Sequence, residues 1–379
     1  MDNIAGTKSS LTWAVHISVV LLVALWLFPT VGLLVSSFRT ADQIATSGWW
    51  SALGTQKRQE PAIRVEGDQV QEGDVYVIHG ELFPVADAKV SAWGTSSREP
   101  EAYEPGQTVD IGDGDTLTVS ESGAYTLTSP ESLEGKRLPR IFSTAATPPE
   151  FTFANYRNVL FSSTAAAGVG QSFVNTLTVA IPATIIPILV AAFAAYALAW
   201  MEFPGRSLLV AAVVALLVVP LQLALIPLLQ FHNAIGIGKS YLGVWMAHTG
   251  FGLPLAIYLL RNYMVGLPRD IIECAKVDGA SDFQIFTKIV LPLSFPALAS
   301  FAIFQFLWTW NDLLVALVFL GTDDQRLVLT ARLVNLLGSR GGQWEILASS
   351  AFVSIAVPLI VFFTMQRYLV RGLLAGSVK

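Results

Sequence analysis

Residues 173–200 read FVNTLTVAIPATIIPILVAAFAAYALAW and contain no charged side chain. As a helix this stretch is about 42 Å long, whereas the hydrocarbon core of a bilayer needs only about 20 apolar residues in a helix. Backbone amides that face lipid must be satisfied within their own segment, so a stretch of this kind has to be helical. It therefore predicts a transmembrane helix.

Five further uncharged stretches meet or approach the length that a membrane span needs. The composition also indicates a membrane protein, because 53% of the chain is hydrophobic, 13% is charged and the mean hydropathy is +0.56. The stretch nearest the N-terminus, 11–37, is too long for the apolar part of a signal peptide and is interpreted as a retained span. Prolines inside the stretches are expected to form kinks. The sequence thus predicts an all-α polytopic membrane protein with six transmembrane helices, the other five being 11–37, 207–231, 241–260, 289–311 and 346–366.

The segment 41–150 has a different character. It carries 18 acidic and 8 basic side chains, a net charge of −10, whereas the rest of the chain carries +5. Alternating stretches at 75–80 and 116–120, with Gly turns at Asp113-Gly114 and Ser122-Gly123, indicate a small β-sandwich or barrel. Its two ends, 49–60 and 130–149, resemble linkers. We predict three parts: 1–40 with the first span, the β-rich insert 41–150, and a five-helix core 151–379.

The distribution of basic residues near the spans predicts the orientation, because cytoplasmic loops are rich in Lys and Arg. With the N-terminus inside, the short connections outside hold Arg39, Lys239, Arg326, Arg332 and Arg340. The larger cytoplasmic set is Lys8, Arg206, Arg261, Arg269, Lys276, Lys288, Arg367, Arg371 and Lys379. Both termini are then cytoplasmic and the insert is extracytoplasmic, either as a passive attachment or as a docking domain.

Several classes of function find no support in the sequence. Cys274 is the one cysteine, so there is no intrachain disulfide and no Cys/His spacing for a metal. Segment 233–240 ends in Gly-Lys-Ser but begins with Asn233 where a phosphate-binding loop has glycine, and it follows an apolar helix rather than a strand. We interpret it as a turn. No catalytic constellation and no basic, aromatic-rich patch for nucleic acid is apparent.

The polar connection between the fourth and fifth spans, within 264–296, predicts two short helices. Pro268 and Asp270 suit a first helical turn, and Gly279 suits the left-handed residue that ends a helix. Ser281 or Asp282 can cap the second helix. Helices shorter than about 12 residues are marginal in water, so both must pack against something. That partner is either this chain's own spans or another protein.

The same connection matches a motif throughout its length. Glu273-Cys274-Ala275, Gly279 after three residues, and Ile289 with Leu291-Pro292 after nine more resemble the EAA loop of binding-protein-dependent ABC importer permeases, with cysteine in place of the second residue. Segments 151–156, 310–312 and 366–379 are similar to the MalG-type subunits of carbohydrate importers. The extra insert is similar to that of α-glucoside permeases. The resemblance covers 1–40 and 151–379.

This resemblance implies the type I fold of ABC importer permeases and a sugar-uptake role in the bacterial inner membrane. The implied partners are a MalF-like second permease, two ATPase subunits that bind ATP and Mg, an external solute-binding protein and membrane lipid. The chain itself would hold no cofactor. The loop would couple ATP hydrolysis to alternating access. Glu273 would pair with a basic ATPase residue, Gly279 would form the bend, and Ile271 with Ile272 would fill an apolar cleft. The implied coupling set is Ile271, Ile272, Glu273, Cys274, Ala275, Asp278, Gly279, Ala280, Ile289 and Pro292. Residues 376–379 would contribute to the ATPase interface.

Polar side chains in the spans are candidates for a substrate path, since such groups tend to face a bundle interior or a water-filled route. Aromatic rings could stack on sugar. The candidates are Gln222, Gln305, Trp308 and Asn311, drawn from a wider set that includes Asn175, Gln230, His248, Trp245 and Trp310. Each polar group could instead form an interhelical hydrogen bond. Two other functions stay open from the residues alone: a stand-alone secondary transporter, and a membrane-anchored scaffold that presents a β domain.

Overall fold

The computed structural model describes residues 10–83, 89–161, 168–339 and 343–374. It divides the chain into two compact units, Met1–Phe153 and Ala154–Lys379. Each unit has its own hydrophobic core, and each is described separately below.

The first unit begins with α1, Ser10–Ser37, a continuous helix that passes through Pro29. Its side chains at residues 11–29 are almost all exposed within this chain and mostly apolar, as expected for a helix surrounded by lipid. A short helix α2, Ala41–Thr46, follows, and Thr40 and Gln43 form a capping box at its start. A 3₁₀ turn covers Trp49–Ser51.

The rest of the first unit is a β-sandwich. Strands β1, β9, β2 and β5 form a four-stranded sheet in which β9 pairs with the other three, and the order of the five-stranded sheet is β3-β4-β8-β7-β6. All pairings are antiparallel. Trp93, Leu117, Leu127 and Ile141 from the two sheets meet in one core. The strands are β1 Gln56–Gln59, β2 Ile63–Arg64, β3 Val70–Glu72, β4 Val75–Glu81, β5 Lys89–Gly94, β6 Thr108–Gly112, β7 Asp115–Val119, β8 Ala124–Ser129 and β9 Arg140–Thr147.

This sandwich confirms the β-rich insert but corrects its ends. The predicted strands at 75–80 and 116–120 correspond to β4 and β7, and Asp113, Gly114 and Gly123 adopt positive φ in the predicted turns. The two predicted linkers were wrong. β1 lies in the first, and β9, at the centre of its sheet, lies in the second. Its polar and small residues gave no local signal, because the strand is specified by its three partners.

The second unit is helical. Its helices are α3 Ala154–Phe161, α4 Gly168–Trp200, α5 Arg206–Leu216, α6 Leu221–Ala234, α7 Tyr241–Val265, α8 Arg269–Val277, α9 Asp282–Ile285, α10 Leu291–Leu293, α11 Phe295–Trp310, α12 Leu314–Leu320, α13 Leu329–Ser339 and α14 Trp344–Leu374. A π-helical turn, Phe286–Val290, joins α9 to α10. Helix α4 packs mainly against α7 and α11, and α11 packs against α14. The predicted turn at 233–240 is present, with Gly236 and Gly238 at positive φ and Ser240 capping α7.

Within the described residues, four helices are long and apolar enough to cross a membrane: α1, α4, α7 and α14. Two of the six predicted spans are not continuous. The third is bent by 108° between α5 and α6, and the fifth by 70° between the α9–α10 segment and α11. The first break falls at Pro220, which has no N–H to continue the helical ladder. Counting each bent pair as one span gives at most six.

Candidate coupling site

Helix α8 ends in a Schellman motif built on Gly279. The Gly279 N–H donates to the Lys276 carbonyl at 3.0 Å, and the Ala280 N–H donates to the Ala275 carbonyl at 3.0 Å. Gly279 itself has φ +80°, the left-handed conformation that this motif requires. The N–H groups of Gly279 and Ala280 thus satisfy carbonyls that the helix end leaves free. The prediction that Gly279 is the left-handed residue at the end of this helix is confirmed. Pro268 precedes the first helical residue as the N-cap.

The second short helix, α9, begins with a capping box. The Ser281 hydroxyl accepts from the Gln284 N–H at 3.3 Å, and the Ser281 N–H donates to the Gln284 side-chain oxygen at 2.9 Å. Asp282 adds a negative charge in the first turn, where the helix dipole favours it. The loop therefore consists of two capped helices that are fixed at their shared turn.

One face of the loop packs on this chain's own spans. Ile272, Ile285, Phe286 and Val290 are buried in a cluster with Leu260 and other side chains of α4, α7 and α11. Ile272 is only 2% exposed. We had expected Ile272 to fill a partner's cleft together with Ile271, and that expectation was wrong, because consecutive helical residues point in different directions.

Two contacts join the loop to α4. The Tyr196 hydroxyl donates to Asp282 Oδ1 at 3.3 Å. The Phe286 ring lies between those of Phe193 and Tyr196, with centroid distances of 4.7 and 5.2 Å. Sequence reasoning did not find this junction, because Phe193 and Tyr196 lie in a span far from the motif. These contacts tie the loop to α4.

Several apolar side chains of the loop remain exposed. Val277 is 87% exposed and Phe283 is 65% exposed, and Ile271 and Cys274 are exposed as well. The exposed Glu273 carboxylate forms no ion pair or hydrogen bond with another described residue. We did not single out Val277 or Phe283 from the sequence. Helical spacing could have predicted their exposure, since neither side chain lies on the helical face that contains Ile272 and Ile285.

The remaining motif positions divide between the two faces. Ala275, Ala280 and Ile289 are partly buried, whereas Asp278 and Pro292 are exposed. Small residues at 275 and 280 let the turn lie close to the spans, since both pack against the buried cluster. The segment 376–379 lies outside the described residues.

Of the four candidates for the substrate path, the structure brings two together. Gln305 and Trp308 line one cavity of about 490 Å³, walled mainly by apolar residues of α5, α6 and α7. Gln305 Nε2 donates to the Ala183 carbonyl at 3.0 Å. Gln222 is exposed and does not line this cavity, and the Asn311 amide donates to the Leu307 carbonyl of its own helix at 2.8 Å.

A buried polar pair lies next to this cavity. His248 is fully buried, its Nε2 atom lies 3.7 Å from Asp312 Oδ2, and the Trp308 ring stands edge-on to it at 5.2 Å. Asp312 also accepts the Ala316 N–H at 3.0 Å and so caps α12. The wider candidate Asn175 has a structural role instead, because its amide donates to the carbonyls of Gln325 and Leu327.

Comparison with known proteins places these features in a family. Residues 188–374 match the family described as the binding-protein-dependent transport system inner membrane component. The alpha-glucoside transport system permease protein AglG of Rhizobium meliloti (strain 1021) is 64% identical over 379 residues, covering 98% of this chain and 98% of that protein. The chain belongs to this permease family. It is a non-catalytic, helical inner membrane subunit of an ABC importer, with a β-rich insert after its first helix.

Two other relatives of this permease match a smaller part of it. The osmoprotective compounds uptake permease protein GgtD of Synechocystis sp. is 60% identical over 61% of this chain and 76% of its own length. The trehalose transport system permease protein SugB of Mycobacterium tuberculosis is 37% identical over 61% of this chain and 84% of its own length. The AglG alignment extends through the insert because it covers 98% of the permease. Family membership also removes the stand-alone transporter and the inert scaffold from consideration.

Proposed function

We propose that this permease forms half of the membrane pathway of an α-glucoside importer and receives the energy of ATP hydrolysis through the loop 264–296. The partners are a MalF-like permease, two ATPase subunits that hold ATP and Mg, and an extracytoplasmic solute-binding protein. The proposal rests on the exposed apolar side chains of Ile271, Val277 and Phe283, on a loop whose Ile272, Ile285 and Phe286 are buried against the spans.

The loop has the properties of a docking element. Its buried face and the Tyr196–Asp282 contact fix it to α4, so that a force on the loop moves the helices with it. The loop exposes apolar side chains together with the Glu273 carboxylate, which has no ion-pair partner among the described residues. Exposed apolar patches bordered by polar residues are typical of interaction sites. The other coupling residues, Cys274, Ala275, Asp278, Gly279, Ala280, Ile289 and Pro292, shape this element or border it.

The topology that suits this function has six spans, with each bent pair counted as one. An even number of spans leaves both termini on one side, and alternation places the loop on that side and the insert on the other. The positive-inside bias makes the first side the cytoplasm, where the ATPase subunits bind.

The substrate is an α-glucoside on the strength of the AglG match, which extends through the insert. Within the spans, Gln305 and Trp308 provide an amide and an aromatic ring at one cavity, the groups that commonly bind sugars. Gln222 and Asn311 would contribute to the path only if the spans rearrange during transport.

Charge reversal in the assembled importer tests the coupling role. We expect Glu273→Lys to lower ATP hydrolysis that depends on sugar and binding protein, because the lysine ammonium then repels the basic residue of the ATPase that Glu273 would pair with. Glu202→Lys is the matched control, since Glu202 is also exposed and lies on the same side, just after α4. Equal ATPase activity and equal recovery of ATPase subunits for both variants would contradict the proposal.

A further inference from the structure

The segment between α1 and the β-sandwich folds back along α1. The Trp49 ring lies edge-on to the Phe28 ring with a centroid distance of 4.7 Å. It also lies so close to Gly32 that a Cβ there would meet the Trp49 indole nitrogen at 2.5 Å. Gly32 therefore provides the space that allows the indole to lie directly on the helix.

Polar contacts fix this arrangement. The Arg39 guanidinium donates to the Ser47 carbonyl at 3.0 Å and to the Gln43 carbonyl at 2.7 Å, and also to the Ser47 hydroxyl. The Gln43 amide donates to the Glu150 carbonyl at 3.2 Å, where the chain leaves the insert. The fold-back is thus held at both the entrance and the exit of the insert.

The depth of this contact follows from helix geometry. At 1.5 Å per residue, α1 is about 42 Å long and exceeds the hydrocarbon core of about 30 Å by roughly 6 Å at each end. Gly32 lies five residues before the end of α1, which is about 8 Å inward. Trp49 therefore packs at the level where the hydrocarbon core meets the headgroups.

Two large apolar side chains that follow Trp49 in the chain are exposed. Trp50 is 71% exposed and Leu53 is 83% exposed. The chain has no charged side chain from 43 to 56, so nothing in this stretch opposes contact with lipid. Tryptophan is enriched where hydrocarbon and headgroups meet, because its ring is apolar and its N–H is polar.

We propose that Trp50 and Leu53 insert into the headgroup–acyl boundary of the membrane on the side of the insert. They form an interfacial anchor, and Trp49 fixes that anchor to α1. The occupant of this surface is lipid rather than protein, because Trp49 ties the segment to an apolar, exposed helix of membrane-spanning length and the segment carries no charge from 43 to 56. The anchor holds the root of the insert at the membrane surface.

Spin-label accessibility tests this anchor. Trp50→Cys and Leu53→Cys are labelled separately in a Cys274→Ala background, in the complete importer reconstituted into vesicles of phosphatidylethanolamine and phosphatidylglycerol. Collision with oxygen, which partitions into lipid, is compared with collision with a water-soluble nickel chelate. Leu21→Cys in α1 is the lipid control and Val70→Cys in β3 is the aqueous control, since both side chains are exposed.

We expect the oxygen-to-nickel ratio at both test sites to exceed that at Val70 and to fall below that at Leu21. A ratio equal to that at Val70 would overturn the proposal by placing the segment in water. Low collision rates with both reagents would overturn it in favour of a protein partner. A low ratio at Leu21 would overturn it together with the membrane placement of α1, so the two failures are distinguishable.

Discussion

Gly279 offers a substitution whose effect is purely conformational. A Cβ added there would meet nothing within 4 Å, yet the backbone has φ +80°. The substitution Gly279→Ala therefore disfavours the left-handed backbone conformation at this turn without creating a steric clash. Because the turn orients α9 relative to α8, we expect the substitution to lower the population of the loop conformation that binds the ATPase.

The magnitude follows from backbone energetics. A left-handed conformation costs a residue with a Cβ about 1–2 kcal/mol. Alanine also restricts the alternative conformations of the turn, which offsets about 0.4–1 kcal/mol of the loss. The net effect is about 1 kcal/mol, a factor of about five in the conformational equilibrium. Since apparent affinity scales with the competent fraction, ATPase affinity should fall by at most about fivefold.

The assay is titration of ATPase subunits onto the permease complex in nanodiscs, with sugar-dependent ATP hydrolysis as a second measurement. Gly279→Asn should lose less affinity than Gly279→Ala, because asparagine tolerates the left-handed region, and Gly279→Val should lose more. Gly338→Ala is the matched control. Gly338 is equally open but its φ lies outside the left-handed region, so we expect no loss. Equal losses for Asn, Ala and Val would refute the conformational argument.

Three further predictions test the packing around the site. Ile272→Ala should destabilise the permease by about 2–5 kcal/mol, measured as a lower unfolding temperature in detergent. Ile271→Ala should leave the unfolding temperature unchanged and weaken ATPase binding. Tyr196→Phe removes the hydroxyl that donates to Asp282, so the contact between the loop and α4 should weaken by about 0.5–1.5 kcal/mol. We expect the number of ATP molecules hydrolysed per sugar transported to rise, and an unchanged number would count against a role of this contact in coupling. Asn175→Ala should cost about 1–3 kcal/mol of stability, because two carbonyls lose their amide donor, and sugar selectivity in an uptake assay should stay the same.

The positions of the spans were predictable because length and absence of charge are local properties, but their continuity was not. Pro182 and Pro187 lie inside the unbroken α4, whereas Pro220 stands at the break between α5 and α6, as the N-cap of α6. Helix α4 is packed against its neighbours, and Pro187 is buried. The side chains just before Pro220 are exposed within this chain, so no neighbouring helix stabilises a continuous path there.

The β-sandwich shows a similar limit. Alternation in β4 and β7 is visible along the sequence, and the glycine turns mark their ends. Strand β9 contains a run of small and hydroxyl residues at 143–147 and is flanked by prolines, a composition typical of a loop. Its strand conformation depends on pairing with residues more than 40 positions away. Contacts at that distance leave no local pattern.

The coupling loop separates what a motif specifies from what packing specifies. The motif located the two helices and the turn at Gly279, but it did not show which face would remain uncovered. Successive helical residues are rotated by about 100°, so once Ile272 faces the spans, Ile271 and Val277 must face away and Ala275 lies near the buried side. The proposed docking surface is therefore a consequence of how Ile272 packs. A substitution that rotated α8 by one residue would bury Ile271 and expose Ile272, so that the motif would keep its composition and lose this surface.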